Sequence, residues 1–308
     1  MAPASFFGKM LDASSLDDVR QNLGDTLVGE RLAATAQLKL TDKAARQAYR
    51  AVMEDIRSIC PSPDVADLVL WREELRSLKN HVKRKHLQIE ASAVPSRYGE
   101  EAWERLWAGL ETELPAVFAA VVGRTQALLG LGSREPGFFD AAFDSASLWA
   151  LCDAARRTGS ELAAEYHRRF DAVKGVELLW RARALGLGKD VQDVLFDGRQ
   201  YEELFAALRQ SDLREWPAAV ASALSGLDVN SLAPSSGAEP VRAFVRAADA
   251  WLMDFARQGQ LVAFGPERVF GCLVGLDAEA HNVAIVVAGR AQGISPDRLR
   301  GHLRACYV

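Results

Sequence analysis

The chain has 308 residues, of which 49% are hydrophobic and 25% are charged, a composition typical of a folded globular protein. Its formal net charge of -4 at pH 7 provides no global attraction to nucleic acid. No basic and apolar leader opens the sequence, and the best apolar stretches, 115–123 and 284–289, are shorter than the ~18 residues of a membrane-spanning helix. We therefore expect a soluble protein of two or three domains.

Apolar residues recur at helical spacing over most of the chain, and no segment alternates with period two. The predicted fold class is therefore all-α. The predicted helices cover residues 43–59, 64–88, 100–122, 145–157, 160–185, 241–258, 278–292 and 296–306. Loops are expected where proline, glycine and small residues cluster, at 61–63, 130–137 and 230–240. Ser295, Pro296 and Asp297 are typical of a helix start, and Gly293 is typical of a helix end.

The sequence also repeats itself. The segment from Phe6 to Leu16 resembles the segment from Phe138 to Leu148, and both continue through a helical pattern to a threonine, Thr26 or Thr158. A weaker pattern, an apolar pair four residues apart followed by a base, occurs three times: Leu78, Val82 and Lys85; Val176, Trp180 and Arg183; Val283, Val287 and Arg290. Together the repeats predict three related helical units that pack against one another, at residues 1–92, 93–197 and 198–308.

Motifs for catalysis or cofactor binding are weak. The segment 186–189 has the Gly-x-Gly-Lys pattern of a phosphate loop, but Arg183 and Asp190 stand where that motif needs a glycine and a hydroxyl residue. His81 and His86 are spaced i, i+5, which we expect to point their rings in different directions. Four widely separated cysteines predict free thiols in a reducing compartment. We therefore expect no catalytic residue, no cofactor and no metal ligand.

Basic side chains on the predicted helix 64–88 form a candidate partner interface. This basic set consists of Arg72, Arg76, Lys79, Lys83 and Arg84. The first four follow one another at helical spacing along the edge of an apolar arc, and we expect the arc to anchor the helix in its own unit. Glu73 and Glu74 lie off this stripe. Two interpretations stay open: a solvated flank of the helix, or a docking surface for an acidic partner.

Three segments resemble one known family. They are the helical pattern after Phe6-Phe7, the helix Leu70–Lys85, and the end of the chain from Leu276 to Val308. The chain resembles the family that comprises the C subunit of archaeal and bacterial V/A-type ATPases and the d subunit of eukaryotic V-type ATPases. The resemblance covers nearly the whole length.

The resemblance implies a funnel of three helical-bundle units around a pseudo-threefold axis. It implies a non-catalytic central-stalk subunit that couples the central stalk to the membrane proteolipid rotor ring during ATP-linked transport of protons or sodium ions. The implied partners are the coiled-coil heterodimer of D and F type subunits and the rotor ring, with the membrane stator subunit as a further candidate. Such a protein is cytoplasmic, is held on the cytoplasmic face of the membrane through the complex, and contacts no nucleic acid.

Two other classes of protein stay open at this point. The first is an α-helical-repeat adaptor that binds an unrelated protein partner. The second is an all-α enzyme, such as a helical lyase, which would need clustered metal-binding acids on facing helices. Asp17-Asp18 is the only adjacent aspartate pair and lacks the rest of that pattern.

Overall fold

The computed structural model describes residues 1–24, 26–34, 41–92, 94, 96–131, 136–228 and 239–308. No strand occurs in these ranges, and the predicted all-α class is confirmed. The α-helices are α1 (Ala4–Asp12), α2 (Leu16–Gly24), α3 (Leu27–Ala34), α4 (Asp42–Ser58), α5 (Pro63–Lys85), α6 (Gly99–Trp107), α7 (Ala116–Leu131), α8 (Pro136–Arg157), α9 (Glu161–Ala184), α10 (Lys189–Phe196), α11 (Glu202–Gln210), α12 (Trp216–Ala223), α13 (Glu239–Ala256), α14 (Pro266–Ala291) and α15 (Pro296–Arg300). Short 3-10 helices cover Leu213–Glu215 and Arg257–Leu261.

Most predicted helices are present, but four have different bounds. The predicted helix 145–157 begins nine residues earlier, at Pro136, as α8. The predicted helix 100–122 is two helices, because Gly109 adopts a φ of 73° and ends α6, and α7 begins only after Pro115. The last predicted helix stops at Arg300 instead of 306. α14 begins at Pro266, twelve residues before the predicted start at 278, since Gly265 and Pro266 form its true start. Most of the predicted loop 230–240 lies outside the described residues.

The described residues form two compact units. Unit 1 contains Met1–Leu70 and Asp249–Val308, and unit 2 contains Trp71–Ala248. Helices α5 and α13 each run from one unit into the other. The predicted boundaries after residues 92 and 197 fall between α5 and α6 and just after α10. The division into three related units and their pseudo-threefold arrangement remain predictions.

The long helix α14 is the centre of unit 1. Helices α1, α2, α4 and α15 pack against it, as does the 3-10 helix before it. By length and composition α14 could cross a membrane, whereas the predicted helix 278–292 is too short to do so. However, 72% of its most apolar stretch is buried inside the protein. This is the pattern of a core helix that is apolar on all sides.

The C-terminal segment packs along α14. Tyr307 is buried and lies over Gly271 and Gly275, where a Cβ atom would collide with its ring. The side-chain amide of Asn282 accepts a hydrogen bond from Arg304 N at 2.7 Å and donates one to Arg304 O at 3.0 Å. The last residues therefore complete the core of unit 1.

Helices α7, α8 and α9 form the core of unit 2, and α6, α10 and α11 pack around them. The rings of Trp103 on α6 and Phe118 on α7 meet edge to face at 5.4 Å. A buried ion pair between Arg199 and Asp171 joins the segment after α10 to α9. These contacts make unit 2 a densely packed helical bundle.

The two copies of the Phe-Phe repeat differ in local structure. The first copy is α1, a turn and the start of α2, whereas the second lies within the uninterrupted helix α8. Their threonines nevertheless have the same role. The hydroxyl groups of Thr26 and Thr158 each donate to the carbonyl three residues earlier, at 2.7 and 2.8 Å, next to a helix end. The two copies of the repeat therefore share the threonine contact at the helix end, although their helices differ in length.

Candidate functional site

The basic set lies on α5 within unit 2, beside a buried apolar face. Leu75, Leu78 and Val82 are at most 3% exposed, which confirms that an apolar arc anchors this helix. Trp71, at the start of the arc, is half-buried and its ring meets Phe118 edge to face at 6.2 Å. The basic side chains therefore extend from α5 towards other helices of unit 2. Residues that are distant in the sequence can contact them there.

Two lysines of the basic set are paired with aspartates of α8. Lys79 Nζ lies 3.0 Å from Asp140 and 2.8 Å from Asp144, and Lys83 Nζ lies 3.0 Å from Asp140. Burial by itself would raise the pKa of Asp140, but the two ammonium groups outweigh it and hold that pKa below its usual range. Arg181 of α9 also contacts Asp144, at 2.8 Å. The cluster thus connects α5, α8 and α9.

The three arginines of the basic set have different surroundings. The guanidinium of Arg72 lies 4.4 Å from the ring centroid of Phe170, a cation–π contact. Arg84 contacts Glu100 at 2.8 Å, and this hydrogen bond lowers the pKa of Glu100. Arg76 is exposed and forms no ion pair with any residue that the structure describes. Lys79, Lys83 and Arg84 are therefore paired within the chain with acids that lie outside α5, on α8 and α6.

His81 and His86 are brought together with Glu104 of α6. His81 Nε2 lies 2.9 Å from Glu104 Oε1, and His86 Nε2 lies 3.0 Å from Glu104 Oε2. The expectation that the two rings diverge is wrong, because α5 ends at Lys85 and His86 already belongs to the turn that follows. The sequence gives little sign that α5 ends before His86, since the helical pattern continues to residue 88. Gln88 itself has a φ of 54°.

An apolar surface lies where α7, α8 and α10 meet in unit 2. A cavity of about 230 Å³ is lined by Leu128, Leu131, Phe138, Asp190, Val191 and Val194. Leu131 is 72% exposed, and Leu185 and Val194 are exposed as well. Sequence reasoning missed this surface because its lining residues come from three helices, α7, α8 and α10. Exposed apolar side chains of this kind are typical of protein–protein contacts.

Residues 185–188 connect the end of α9 to the start of α10 at Lys189. Gly186 has a φ of 69°, and Leu187 N donates to Ala182 O at 3.0 Å, which satisfies a carbonyl at the end of α9. The four cysteines are free thiols, three of them buried. Burial raises the pKa of Cys152, which makes its thiol poorly reactive.

The fold and these groups define an all-α protein whose charged side chains connect neighbouring helices. Residues 3–302 match the ATP synthase (C/AC39) subunit family. Since the match spans nearly the whole sequence, the chain belongs to this family and is a subunit of a V/A-type ATPase, as the resemblance implied. A comparison with curated protein sequences gave no match.

Proposed function

We propose that this chain is the non-catalytic central-stalk subunit of a rotary V/A-type ATPase and couples the central stalk to the membrane proteolipid rotor ring. The match to the ATP synthase (C/AC39) subunit family over residues 3–302 carries the proposal. In this role the protein sits on the cytoplasmic face of the membrane through the complex. ATP chemistry belongs to the catalytic head, and transport of protons or sodium ions belongs to the ring and the membrane stator.

A coupling subunit acts mechanically, so its units must resist deformation under torque. Unit 2 has two features that serve this purpose. Asp144 of α8 contacts Lys79 of α5 and Arg181 of α9, which joins three helices through charged contacts. The Arg199–Asp171 pair fixes the segment after α10 against α9 from inside the core. Close-packed interiors with such connections transmit strain instead of absorbing it.

The surface of α5 supplies a candidate contact for the partner subunits. Lys79 and Lys83 are already paired within unit 2, whereas the exposed Arg76 projects from the same stretch of helix. An exposed cation of this kind can bind a carboxylate of the D and F type stalk heterodimer or of the ring. Arg76 is therefore the residue of the basic set to test first, because its replacement disturbs no ion pair among the described residues.

The test is assembly with purified partners. The wild-type chain should co-elute on gel filtration with the stalk heterodimer of its own organism and should bind the detergent-solubilised ring. Arg76→Glu should weaken one of these associations at low salt, and the difference should shrink at high salt because screening acts on exposed charges. Arg214→Glu is the matched control, since its side chain is 79% exposed on the 3-10 helix of the same unit.

The outcomes separate two questions. If the wild-type chain binds neither the heterodimer nor the ring at micromolar concentration and low salt, the proposed function is wrong. An unrelated helical adaptor would then be the better description. If wild type binds both partners and Arg76→Glu binds them equally well, the coupling role stands and Arg76 is a solvated side chain of α5.

A further inference from the structure

The group formed by His81, His86 and Glu104 has the composition of a transition-metal site. One ring nitrogen from each imidazole and one oxygen of the carboxylate all lie within 4.8 Å of one another. Two imidazoles and one carboxylate are a donor set that Zn²⁺ takes in proteins, with water in the fourth position. Nothing in the proposed coupling role requires these three residues to meet.

The distances fit a tetrahedral ion after a small adjustment. With metal–ligand bonds of about 2.0–2.2 Å, neighbouring ligand atoms of a tetrahedral site lie about 3.3 Å apart. His81 Nε2 lies 2.9 Å from one carboxylate oxygen of Glu104 and His86 Nε2 lies 3.0 Å from the other, so the carboxylate must turn to offer one oxygen to the ion. His86 can move for this purpose, because it lies in the turn after α5 and its side chain is 32% exposed.

The burial of the three residues also suits a bound ion. His81 is only 1% exposed, so α5 holds one ligand rigidly inside unit 2. Glu104 is 42% exposed, which leaves an open side for the entry of a metal ion and for a water ligand. The ring of His86 is further supported by Trp107, at 5.8 Å between centroids. One ligand is thus preorganised and two are accessible.

The alternative is a metal-free hydrogen-bonded group, in which both histidines donate to Glu104. His81 Nδ1 is buried without a hydrogen-bond partner among the described residues, so it does not distinguish the metal-bound group from the metal-free one. The positive charges of the neighbouring Arg84 and Lys85 repel a bound cation, although Glu100 compensates Arg84 at 2.8 Å. These charges predict a modest affinity for the metal ion. The affinity is also limited because the site has only three protein ligands and two of them are exposed.

We propose that His81, His86 and Glu104 bind one Zn²⁺ ion, which fastens the C-terminal end of α5 to α6. The ion replaces two hydrogen bonds by three coordinate bonds between the helix α5, the turn after it and the helix α6. Binding stabilises the folded chain by mass action, since the three ligands meet only when it is folded. It weakens in acid, because protons compete with the metal for the imidazole nitrogens.

The experiment is a Zn²⁺ titration of the full-length protein after treatment with a chelator. Isothermal titration calorimetry should show one ion per chain, and Zn²⁺ should raise the melting temperature. Co²⁺ should give the visible absorption bands of a tetrahedral site, whereas Mg²⁺ should not compete, because it prefers oxygen ligands. His86→Ala and Glu104→Ala should each weaken Zn²⁺ binding at least about tenfold, since even outer-shell changes have effects of that size.

The control is His302→Ala, which removes an exposed histidine outside the group and should leave the affinity unchanged. His81 is not replaced, because its burial would confuse loss of a ligand with loss of the fold. Far-ultraviolet circular dichroism verifies that both test variants keep their helices. Failure to bind Zn²⁺ with saturation below about 100 μM, or equal affinity in wild type, His86→Ala and Glu104→Ala, would show that the group is only hydrogen-bonded.

Discussion

The buried ion pair of unit 2 allows the sharpest stability prediction. Arg199 and Asp171 have side chains that are 1% and 4% exposed. The same guanidinium donates to Ser145 Oγ at 3.1 Å and to Ser145 O at 3.3 Å, and it lies 5.0 Å from the ring centroid of Phe196. Arg199→Met keeps most of the side-chain volume and removes the charge. It leaves Asp171 in the core without its nearest cation.

The expected loss of stability is large. Removing one partner of a buried ion pair costs about 3–5 kcal/mol, because the remaining charge is desolvated and unpaired. At an unfolding entropy of about 2.1 cal/mol/K per residue, that loss lowers the melting temperature of a 308-residue protein by roughly 5–8 °C. Burial already raises the pKa of Asp171, and Arg199 counteracts this. In the variant that pKa rises further, so the carboxyl group can take up a proton in mild acid. The difference between wild type and variant should therefore shrink as the pH falls from 7 to 5.

Tryptophan fluorescence is a suitable assay, since six of the seven tryptophans lie in unit 2. Urea unfolding of wild type, Arg199→Met and the double variant Asp171→Leu/Arg199→Met completes the comparison. The double variant should recover most of the lost stability, because it removes both charges. The control, Arg214→Met, removes an exposed charge and should change stability little. If Arg199→Met lowers stability as little as Arg214→Met does, the Arg199–Asp171 pair does not stabilise unit 2 and the reasoning is wrong.

Two further predictions concern unit 2. Gly175→Ala on α9 should destabilise the protein by about 1–3 kcal/mol, because the new methyl group would collide with the ring of Phe205; a Phe205→Leu change in the same chain should relieve part of that loss in urea unfolding. Burial lowers the pKa of His167 from 6.5 to about 4, so the unfolded chain binds the extra proton first and stability should fall by up to about 3 kcal/mol as the pH drops from 6.5 to 4. His167→Gln should flatten the pH dependence of the melting temperature over this range, His302→Gln should not, and equal curves for all three proteins would contradict the assignment.

The candidate site shows which contacts a sequence can predict. The apolar arc of α5 was predictable, because helical periodicity alone places Leu75, Leu78 and Val82 on one face. The partners of Lys79 and Lys83 were not, because Asp140 and Asp144 lie about sixty residues away on another helix. No local pattern indicates which two helices will pack side by side.

Some helix boundaries that differ from the predicted ones are nevertheless marked in the sequence by a glycine or a proline. Gly109 and Pro115 divide the predicted helix 100–122, and Gly265 with Pro266 begins α14. Each acts through its own backbone: a positive φ that glycine adopts without strain, or the fixed φ of proline at a helix start. These boundaries belong to what the sequence determines, although the apolar periodicity around them is continuous.

The sequence by itself determined the all-α class, most helix positions and the family, because each depends on neighbours along the chain or on motifs that survive in linear order. The tertiary structure alone decided which charges compensate one another, that His81 and His86 meet at Glu104, and that Arg199 lies buried on Asp171. Those outcomes depend on how helices pack. Packing is set by the summed burial of many side chains, and no single residue type or spacing encodes it.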